Sequence, residues 1–218
     1  TIQADYLSTD LAEYKRAYLN IRQDKRATAP WKVVAEHEWV KAAAPEEEVI
    51  EWDSPISIGV ATPPDRDVTA IGIVGYDSTG SKQIELIDHR AGTAWVVARI
   101  VGLSERHAHC QGVTIDTGSP AATFIEALEA RGVTVNKVGG ADHALYAQGM
   151  LDGIRNGTIR HRDQEALTAS VAGAAKRNFG DRWLWNRRDP TVDVTPIEAL
   201  TMAAGGLRAR SEALTFAY

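Results

Sequence analysis

Three acidic residues occupy positions from which carboxylate oxygens could hold a divalent metal ion. Asp116 ends the apolar run Val-Thr-Ile, and Gly118 allows the chain to turn sharply after it. Asp193 and Glu198 lie near the start of TPIEALTMAAGG, a small-residue segment typical of a helix packed closely on a sheet. Side chains at strand ends face the crevice above an open α/β sheet, and Mg²⁺ prefers carboxylate oxygens. The three acids therefore predict a metal site between a strand and the last helix.

The same acids also have a structural interpretation, and the sequence leaves both open. Asp116 before Thr-Gly-Ser-Pro, and Asp193 shortly before Pro196, are favourable arrangements for the start of a helix.

Other kinds of catalytic or metal site have weaker signals in the sequence. The His-Ala-His-Cys run at 107–110 lacks a second ligand pair at zinc-like spacing. The sequence contains neither a GxxxxGKS/T phosphate loop nor a GxSxG nucleophile motif.

The elements that would position these acids follow from the spacing of apolar residues. Three strands joined by short turns should form an antiparallel meander. Two further strands, ending at Asp116 and Val138, alternate with helices, and such units with short loops give parallel neighbours. The predicted fold is α/β, a mixed five-stranded sheet of a three-stranded antiparallel meander plus two parallel strands, with helices on both faces. The meander strands are predicted at about 56–61, 67–76 and 82–89, and the main helices at about 92–106, 141–155, 164–178 and 196–208, with a Trp-rich hairpin or loop before the last.

Composition divides the chain into a helical, linker-like extension over 1–53, the α/β domain over 54–210 and a tail over 211–218. The extension should contain a helix at about 10–23 and a second short helix in EHEWVKAAA. The single cysteine, Cys110, excludes an internal disulfide. No apolar run approaches the length that spans a bilayer, so no membrane partner is expected.

Positive charge is concentrated in one segment of an otherwise acidic chain. Residues 155–188 contain eight Lys and Arg against three Asp and Glu, a balance of +5, whereas the whole chain carries −5 and the remainder therefore −10. A basic segment beside an acidic body is consistent with contact to the nucleic-acid backbone, and a solvated helical face is the alternative. The candidate DNA-binding residues are Arg160, Arg162, Lys176, Arg177, Arg187 and Arg188.

The order of several segments resembles one family. Residues 10–207 are similar to the carboxyl-terminal nuclease part of the large terminase subunit of tailed bacteriophages, in the ribonuclease H-like superfamily. The matching segments include IGVATPPDRDVTAI, DHRAGTAWVVARI, VTIDTGSPA and DVTPIEALTMAAGG. The resemblance implies a ribonuclease H-like fold built on the sheet predicted above. Large subunits of this family are two-part motors that also contain an ATPase domain. Since the ATPase motif is missing here, the resemblance implies that this chain is the nuclease half with part of the linker.

The resemblance further implies a site of three acids, from the first strand, the fourth strand and the last helix. Asp116 matches the fourth-strand acid, and Asp193 matches the last-helix acid, with Glu198 as the rival one turn away. The first-strand position falls at Ala61, so the implied catalytic set is Ala61, Asp116 and Asp193 with one ligand replaced by a methyl group. The implied cofactors are two divalent metal ions, Mg²⁺ or Mn²⁺. A natural or deliberate Asp→Ala change at position 61 would impair cleavage.

The implied function is metal-dependent hydrolysis of phosphodiester bonds in concatemeric double-stranded phage DNA, during phage assembly in the host cytoplasm. The implied partners are DNA, an ATPase domain, the small terminase subunit and the portal protein. Two alternatives stay open. One is a catalytically silent DNA-binding and docking module of the packaging motor, which Ala61 favours. The other is a different ribonuclease H-like nuclease, such as a junction resolvase or an integrase core.

Overall fold

A mixed sheet of six strands forms the centre of the molecule in a computed structural model that describes residues 31–188 and 192–208. The strand order is β5-β4-β1-β2-β3-β6. β1 pairs antiparallel with β2, and β2 with β3, whereas β4 is parallel to β1 and to β5. The strands are β1 Ile56–Ala61, β2 Val68–Tyr76, β3 Lys82–Ala91, β4 Cys110–Asp116, β5 Val135–Val138 and β6 Ile159–His161.

The meander and the two parallel strands confirm the five-strand prediction, and β6 corrects the count to six. β6 is parallel to β3 and contacts only the first three residues of β3, Lys82 to Ile84. A three-residue strand with a polar centre, Arg160, gives no apolar run that a sequence pattern could detect. β6 therefore extends the sheet at its outer edge without changing the predicted topology.

The helices lie on both faces of this sheet, as predicted. Two boundaries differ from the prediction by more than two residues: the helix after β3 begins at Val96 rather than 92, and the helix expected to reach 178 ends at Gly173. A two-stranded hairpin takes up the following residues, because Gly180 adopts a positive φ of 59° at its turn. The helices are α1 Glu36–Lys41, α2 Val96–Arg106, a 3-10 helix Pro120–Phe124, α3 Ile125–Glu129, α4 Gly140–Asn156, α5 Glu165–Gly173 and α6 Thr195–Gly206, and the hairpin strands are β7 Lys176–Phe179 and β8 Arg182–Trp185.

An apolar core lies on each face of the sheet. One is formed by α1, α4, α5, α6 and the hairpin against the sheet, and the other by α2, the 3-10 helix and α3. α6 lies so close to β1 that a Cβ at Gly59 would overlap the carbonyl of Ala199, and one at Gly206 would overlap the Thr114 side chain. These two glycines allow the helix to lie directly on the strands.

Part of the amino-terminal extension packs against the domain. Trp39 on α1 is buried and its ring stacks on His161 of β6, with ring centroids 3.6 Å apart. Trp52, by contrast, is 92% exposed. The second predicted short helix corresponds to α1, whereas the helix predicted at about 10–23 and the tail from 211 lie outside the described residues. Among the described residues, no helix is both long and apolar enough to cross a bilayer.

Candidate metal centre

Asp116 ends β4 and uses its two carboxylate oxygens differently. Oδ1 accepts a hydrogen bond from the Gly118 amide at 2.8 Å, which stabilises the turn after the strand. Oδ2 lies 3.1 Å from Nδ1 of His143 on α4. Asp116 does not cap the 3-10 helix that follows, whose N-cap is Ser119; Oδ1 stabilises the preceding turn, and Oδ2 faces the other charged groups.

Glu198 approaches Asp116 from the first turn of α6. Its side chain is 4% exposed, and Oε1 lies 3.7 Å from Nε2 of His143. Its other oxygen, Oε2, is buried without a hydrogen-bond partner among the described residues, as is Nε2 of His143. Asp116, His143 and Glu198 each offer one ligand atom, and these atoms lie within 4.8 Å of one another. Two carboxylates and an imidazole at this spacing form a suitable donor set for a divalent cation.

Arg187, just after β8, joins the two acids. Its Nη1 donates to Asp116 Oδ2 at 3.2 Å and to Glu198 Oε1 at 3.3 Å, and its Nη2 donates to the Gly118 carbonyl at 3.2 Å. The Arg187 side chain is 15% exposed. We call Asp116, His143, Arg187 and Glu198 the acid cluster.

The two carboxylates of the acid cluster have opposite electrostatic environments. Complete burial raises the pKa of Glu198, and the nearby Asp116 charge adds to this, although Arg187 and His143 oppose it. Burial also acts to raise the pKa of Asp116, but hydrogen bonds from His143 and the Gly118 amide, with the charge of Arg187, hold it below its usual range. Glu198 is thus the acid whose negative charge is least well compensated in this environment.

Asp193 lies outside this group. Its Oδ2 is 2.7 Å from Nε2 of His89 on β3, and its Oδ1 accepts from the amide and hydroxyl of Thr195 at the start of α6. Burial acts to raise the pKa of Asp193, but the hydrogen bonds from His89 and Thr195 lower it overall. Both of its oxygens have partners, and Asp193 stabilises the start of α6 from just before the N-cap residue, Val194.

Ala61 lies level with Asp116 on the neighbouring strand. Gly59 is paired with Thr114, and two residues further along the parallel strands this register brings Ala61 beside Asp116. Ala61 is paired with Ala70, which is paired with His89, so one row crosses four strands from Asp116 to His89. The Ala61 methyl group is buried, 3% exposed, against Ala70 and Ala199. Asp65 and Asp67, in the loop that follows, are exposed and are not part of the acid cluster.

His143 is the member of the acid cluster that the sequence analysis did not select. It lies in the first turn of α4, the helix that follows β5, and it is 1% exposed. β5 is parallel to β4, so its carboxyl end lies at the same edge of the sheet as Asp116. A histidine at the start of the helix after a parallel strand is the signal that could have identified it.

The six candidate DNA-binding residues divide into two groups. Arg160 lies on β6 opposite Gln83, six residues along β3 from His89 and thus roughly 20 Å from the row of Asp116, at about 3.3 Å per residue. Arg160 pairs with the Glu48 carboxylate at 2.7 Å, and Arg162 donates to the Glu48 carbonyl. The other four lie on the hairpin or just after it: Lys176 and Arg177 on β7, and Arg187 and Arg188 after β8.

The His-Ala-His-Cys run forms no metal site in the part of the chain that the structure describes. Only one group of three potential ligands occurs there, and it contains none of His107, His109 and Cys110.

The sheet order, the parallel β4 and β5 beside an antiparallel meander, and the acids at its carboxyl edge define a ribonuclease H-like fold. The structure is similar to the HK97 bacteriophage large terminase, with a TM-score of 0.64 and 15% identity over 82% of this chain and 43% of that one. It is also similar to the large terminase nuclease from thermophilic phage G20c with bound magnesium, with a TM-score of 0.56 and 16% identity over 72% of this chain and 84% of that one. A mutant of the large terminase subunit from bacteriophage Sf6 with calcium gives a TM-score of 0.57 and 9% identity over 79% of this chain and 98% of that one.

These similarities confirm that the chain has the fold of phage large terminase nuclease domains, as its sequence resemblance implied. The chain corresponds to about two-fifths of the HK97 protein's length. No family model and no curated protein matches the sequence.

Proposed function

We propose that this chain is the nuclease domain of a phage DNA-packaging terminase, a metal-dependent endonuclease for concatemeric double-stranded DNA. One observation carries the proposal. On the fold of terminase nucleases, Asp116 and Glu198 are buried side by side at the carboxyl edge of the sheet, and Glu198 Oε2 has no hydrogen-bond partner. A buried carboxylate oxygen without a hydrogen-bond partner is costly for stability, and a divalent cation would compensate it.

The residues of the acid cluster suit such a cation. Asp116 and Glu198 would hold it through carboxylate oxygens, and His143 could supply a nitrogen through Nε2 while its Nδ1 stays with Asp116, an arrangement that fixes ring orientation. When bound, divalent ions polarise a phosphodiester and activate water for its hydrolysis. The similar G20c and Sf6 structures contain magnesium and calcium, which supports Mg²⁺ or Mn²⁺ as the cofactor. Two ions are expected for the complete three-acid set.

The hairpin β7–β8 would bind the DNA backbone beside this site. Lys176 and Arg188 are exposed, and the Lys176 ammonium lies over the Trp183 ring, 4.4 Å from its centroid. Such contacts to phosphates fix the position of DNA without selecting sequence. Arg160 and Arg162 would belong to a separate contact, if they bind DNA in the same complex, because they lie at the far end of β3.

Ala61 would limit the activity of this chain. An aspartate there would stand level with Asp116 and share a cation with it, whereas the methyl group offers no ligand and leaves a second ion without the negative charge that permits its approach. Electrostatic stabilisation of the transition state by such ions is commonly worth several kcal/mol, and each ~1.4 kcal/mol is about tenfold in rate. Cleavage by the present chain should therefore be at least about a hundredfold slower than by Ala61→Asp.

The test is nicking and linearisation of supercoiled plasmid in Mn²⁺ by the present chain and by Ala61→Asp, with Asp116→Ala added to each as the control. The proposal predicts activity that rises with Ala61→Asp and disappears with Asp116→Ala. Equal activity in the two parent proteins, lost in both controls, would assign the third ligand to another residue. Cleavage that survives Asp116→Ala would contradict the proposed site.

In the complete motor, the proposed partners are an ATPase domain, the small terminase subunit and the portal protein, with the reaction in the host cytoplasm. The similarity to the HK97 large terminase supports this context. Since the chain spans only part of that protein, these partners are tested by joining the domain to its ATPase half and measuring packaging in the presence of the portal.

A second candidate function is a catalytically silent docking module of the same motor. The observation that favours it is the packing of Ala61, which fills a buried contact with Ala70 and Ala199 where a carboxylate would need space and solvation. The plasmid assay, run beside a DNA-binding titration, separates the two functions. DNA binding without cleavage in both the present chain and Ala61→Asp would support the docking module.

A further inference from the structure

Arg187 occupies the position between the two acids that a metal ion would take. One guanidinium nitrogen, Nη1, lies within 3.3 Å of both Asp116 Oδ2 and Glu198 Oε1. The second nitrogen, Nη2, donates to the carbonyl of Gly118 at 3.2 Å. The guanidinium thus supplies the positive charge that keeps two buried carboxylates together in this structure.

The backbone next to Arg187 is held by hydrogen bonds, whereas its side chain can rotate toward solvent. The neighbouring Asn186 amide donates to the Ala175 carbonyl at 2.8 Å, and the buried Trp185 ring donates to Thr201 on α6 at 2.9 Å. These bonds attach the end of the hairpin to the domain. The Arg187 side chain itself is 15% exposed, so rotation about its own torsions can move the guanidinium toward solvent without moving the hairpin.

We infer that Arg187 is a resident cation of the metal site, which must withdraw from Asp116 and Glu198 before a divalent ion can bind between them. This inference rests on the proposed function and concerns how its metal site is loaded. A guanidinium and a divalent ion cannot both occupy the space between Asp116 Oδ2 and Glu198 Oε1, because both would need the same carboxylate lone pairs and would repel each other. Metal affinity is therefore reduced by the cost of displacing Arg187.

A backbone phosphate of DNA would bind the displaced Arg187 side chain. Arginine binds phosphate through paired N–H donors, and the exposed Lys176 and Arg188 mark the same hairpin as a cationic surface. A backbone phosphate that binds Arg187 would remove the competitor from the carboxylates. Because coupling between two ligands is reciprocal, DNA should raise the affinity for metal and metal should raise the affinity for DNA. The site would then load its cation chiefly when substrate is present.

The experiment measures Mn²⁺ binding by calorimetry, rather than cleavage, in the present chain and in Arg187→Gln. Arg187→Gln should bind Mn²⁺ about tenfold more tightly, because no resident cation has to leave. Its metal-free melting temperature should fall by about 5 °C or more, since two buried carboxylates lose their shared partner. Arg187→Lys keeps the positive charge but not the paired N–H donors of the guanidinium, so the changes in Mn²⁺ affinity and melting temperature should both be smaller. This variant replaces Arg187→Gln in the test if the glutamine variant does not fold.

Arg188→Gln is the charge-matched control. Arg188 is exposed, and none of the hydrogen bonds and ion pairs in the described structure joins its side chain to Asp116 or Glu198. Its Mn²⁺ affinity should change by less than about twofold, because an exposed charge is largely screened. A general effect of removing one positive charge would instead appear equally in Arg187→Gln and Arg188→Gln, and that result would overturn the inference.

The coupling is tested by repeating the Mn²⁺ titration with a short phosphorothioate duplex, which resists cleavage. The duplex should tighten Mn²⁺ binding in the present chain and have little effect in Arg187→Gln. Equal tightening in both proteins would overturn the role of DNA. Unchanged or weaker Mn²⁺ binding by Arg187→Gln, with a native far-UV spectrum, would overturn the displacement itself. No Mn²⁺ binding by any of these folded proteins would overturn the proposed metal site as well, so failure of the inference and failure of the function are distinguishable.

Discussion

The first turn of α6 and the segment just before it present two acids with contrasting environments. Glu198 is buried with one oxygen unpartnered, beside a second carboxylate, an imidazole and a guanidinium. Asp193, five residues earlier, is 38% exposed, and hydrogen bonds from His89 and Thr195 occupy both of its oxygens. The difference separates two kinds of acid: both oxygens of Asp193 have partners within the fold, whereas one oxygen of Glu198 has none among the described residues, which is why we propose Glu198 rather than Asp193 as a metal ligand.

Asp116 combines both kinds of environment, which makes it the position of largest expected effect on stability. Asp116→Ala removes the Gly118 turn contact and leaves Arg187 and His143 without their shared acceptor. Breaking a buried ion pair from one side costs about 3–5 kcal/mol, and Glu198 remains to hold Arg187, so we expect a loss near 3 kcal/mol in the free energy of unfolding. Urea denaturation of the metal-free protein measures it. A loss below about 1 kcal/mol would mean that Asp116 is not a structural centre of the cluster.

Asp193→Ala should cost less. The loss of a side-chain hydrogen bond to an amide at the start of a helix is worth about 0.5–2 kcal/mol, and partial exposure places Asp193 at the lower end of that range. The effect should depend on pH in one direction. Since the folded-state pKa of Asp193 is lowered, its stabilising contribution is complete above the ordinary aspartate pKa of about 3.9 and is lost as pH falls through the lower, folded-state pKa. The difference between the two proteins in denaturant midpoint should therefore shrink in acid. A difference that grows in acid would contradict this stabilising role of the ionised carboxylate.

Much of the fold could be predicted because its signals are local. The meander, the strand ending at Asp116 and the small-residue helix each follow from apolar runs and turn residues within about ten positions. β6 could not be predicted, because a three-residue strand with arginine at its centre depends on its neighbours β3 and Ala43 rather than on its own pattern. The early end of α5 at Gly173 was missed for a related reason, since the hairpin that follows is stabilised by packing against α4 and α6.

The candidate site was predictable only in part. Asp116 is visible as a carboxylate at a strand end, and Ala61 stands out only beside the family pattern. The choice between Asp193 and Glu198 depends on where α6 begins and which face it turns toward Asp116, because two acids five residues apart cannot lie on the same face of a helix. His143 and Arg187 depend on long-range geometry: they lie 27 and 71 residues from Asp116 along the chain. No periodicity connects such residues before the sheet and the hairpin are assembled.

The central claim is that Asp116 and Glu198, not Asp193, hold the divalent cation. Its most direct test is a calorimetric Mn²⁺ titration of three folded proteins: the present chain, Glu198→Gln and Asp193→Asn. Glutamine and asparagine keep the shape of the side chains and remove only their charge, so the pair is matched. A lost carboxylate ligand should weaken binding by at least about tenfold, so Glu198→Gln should show that loss and Asp193→Asn a change below about threefold. The reverse order, with Asp193→Asn the weaker binder, would contradict the account.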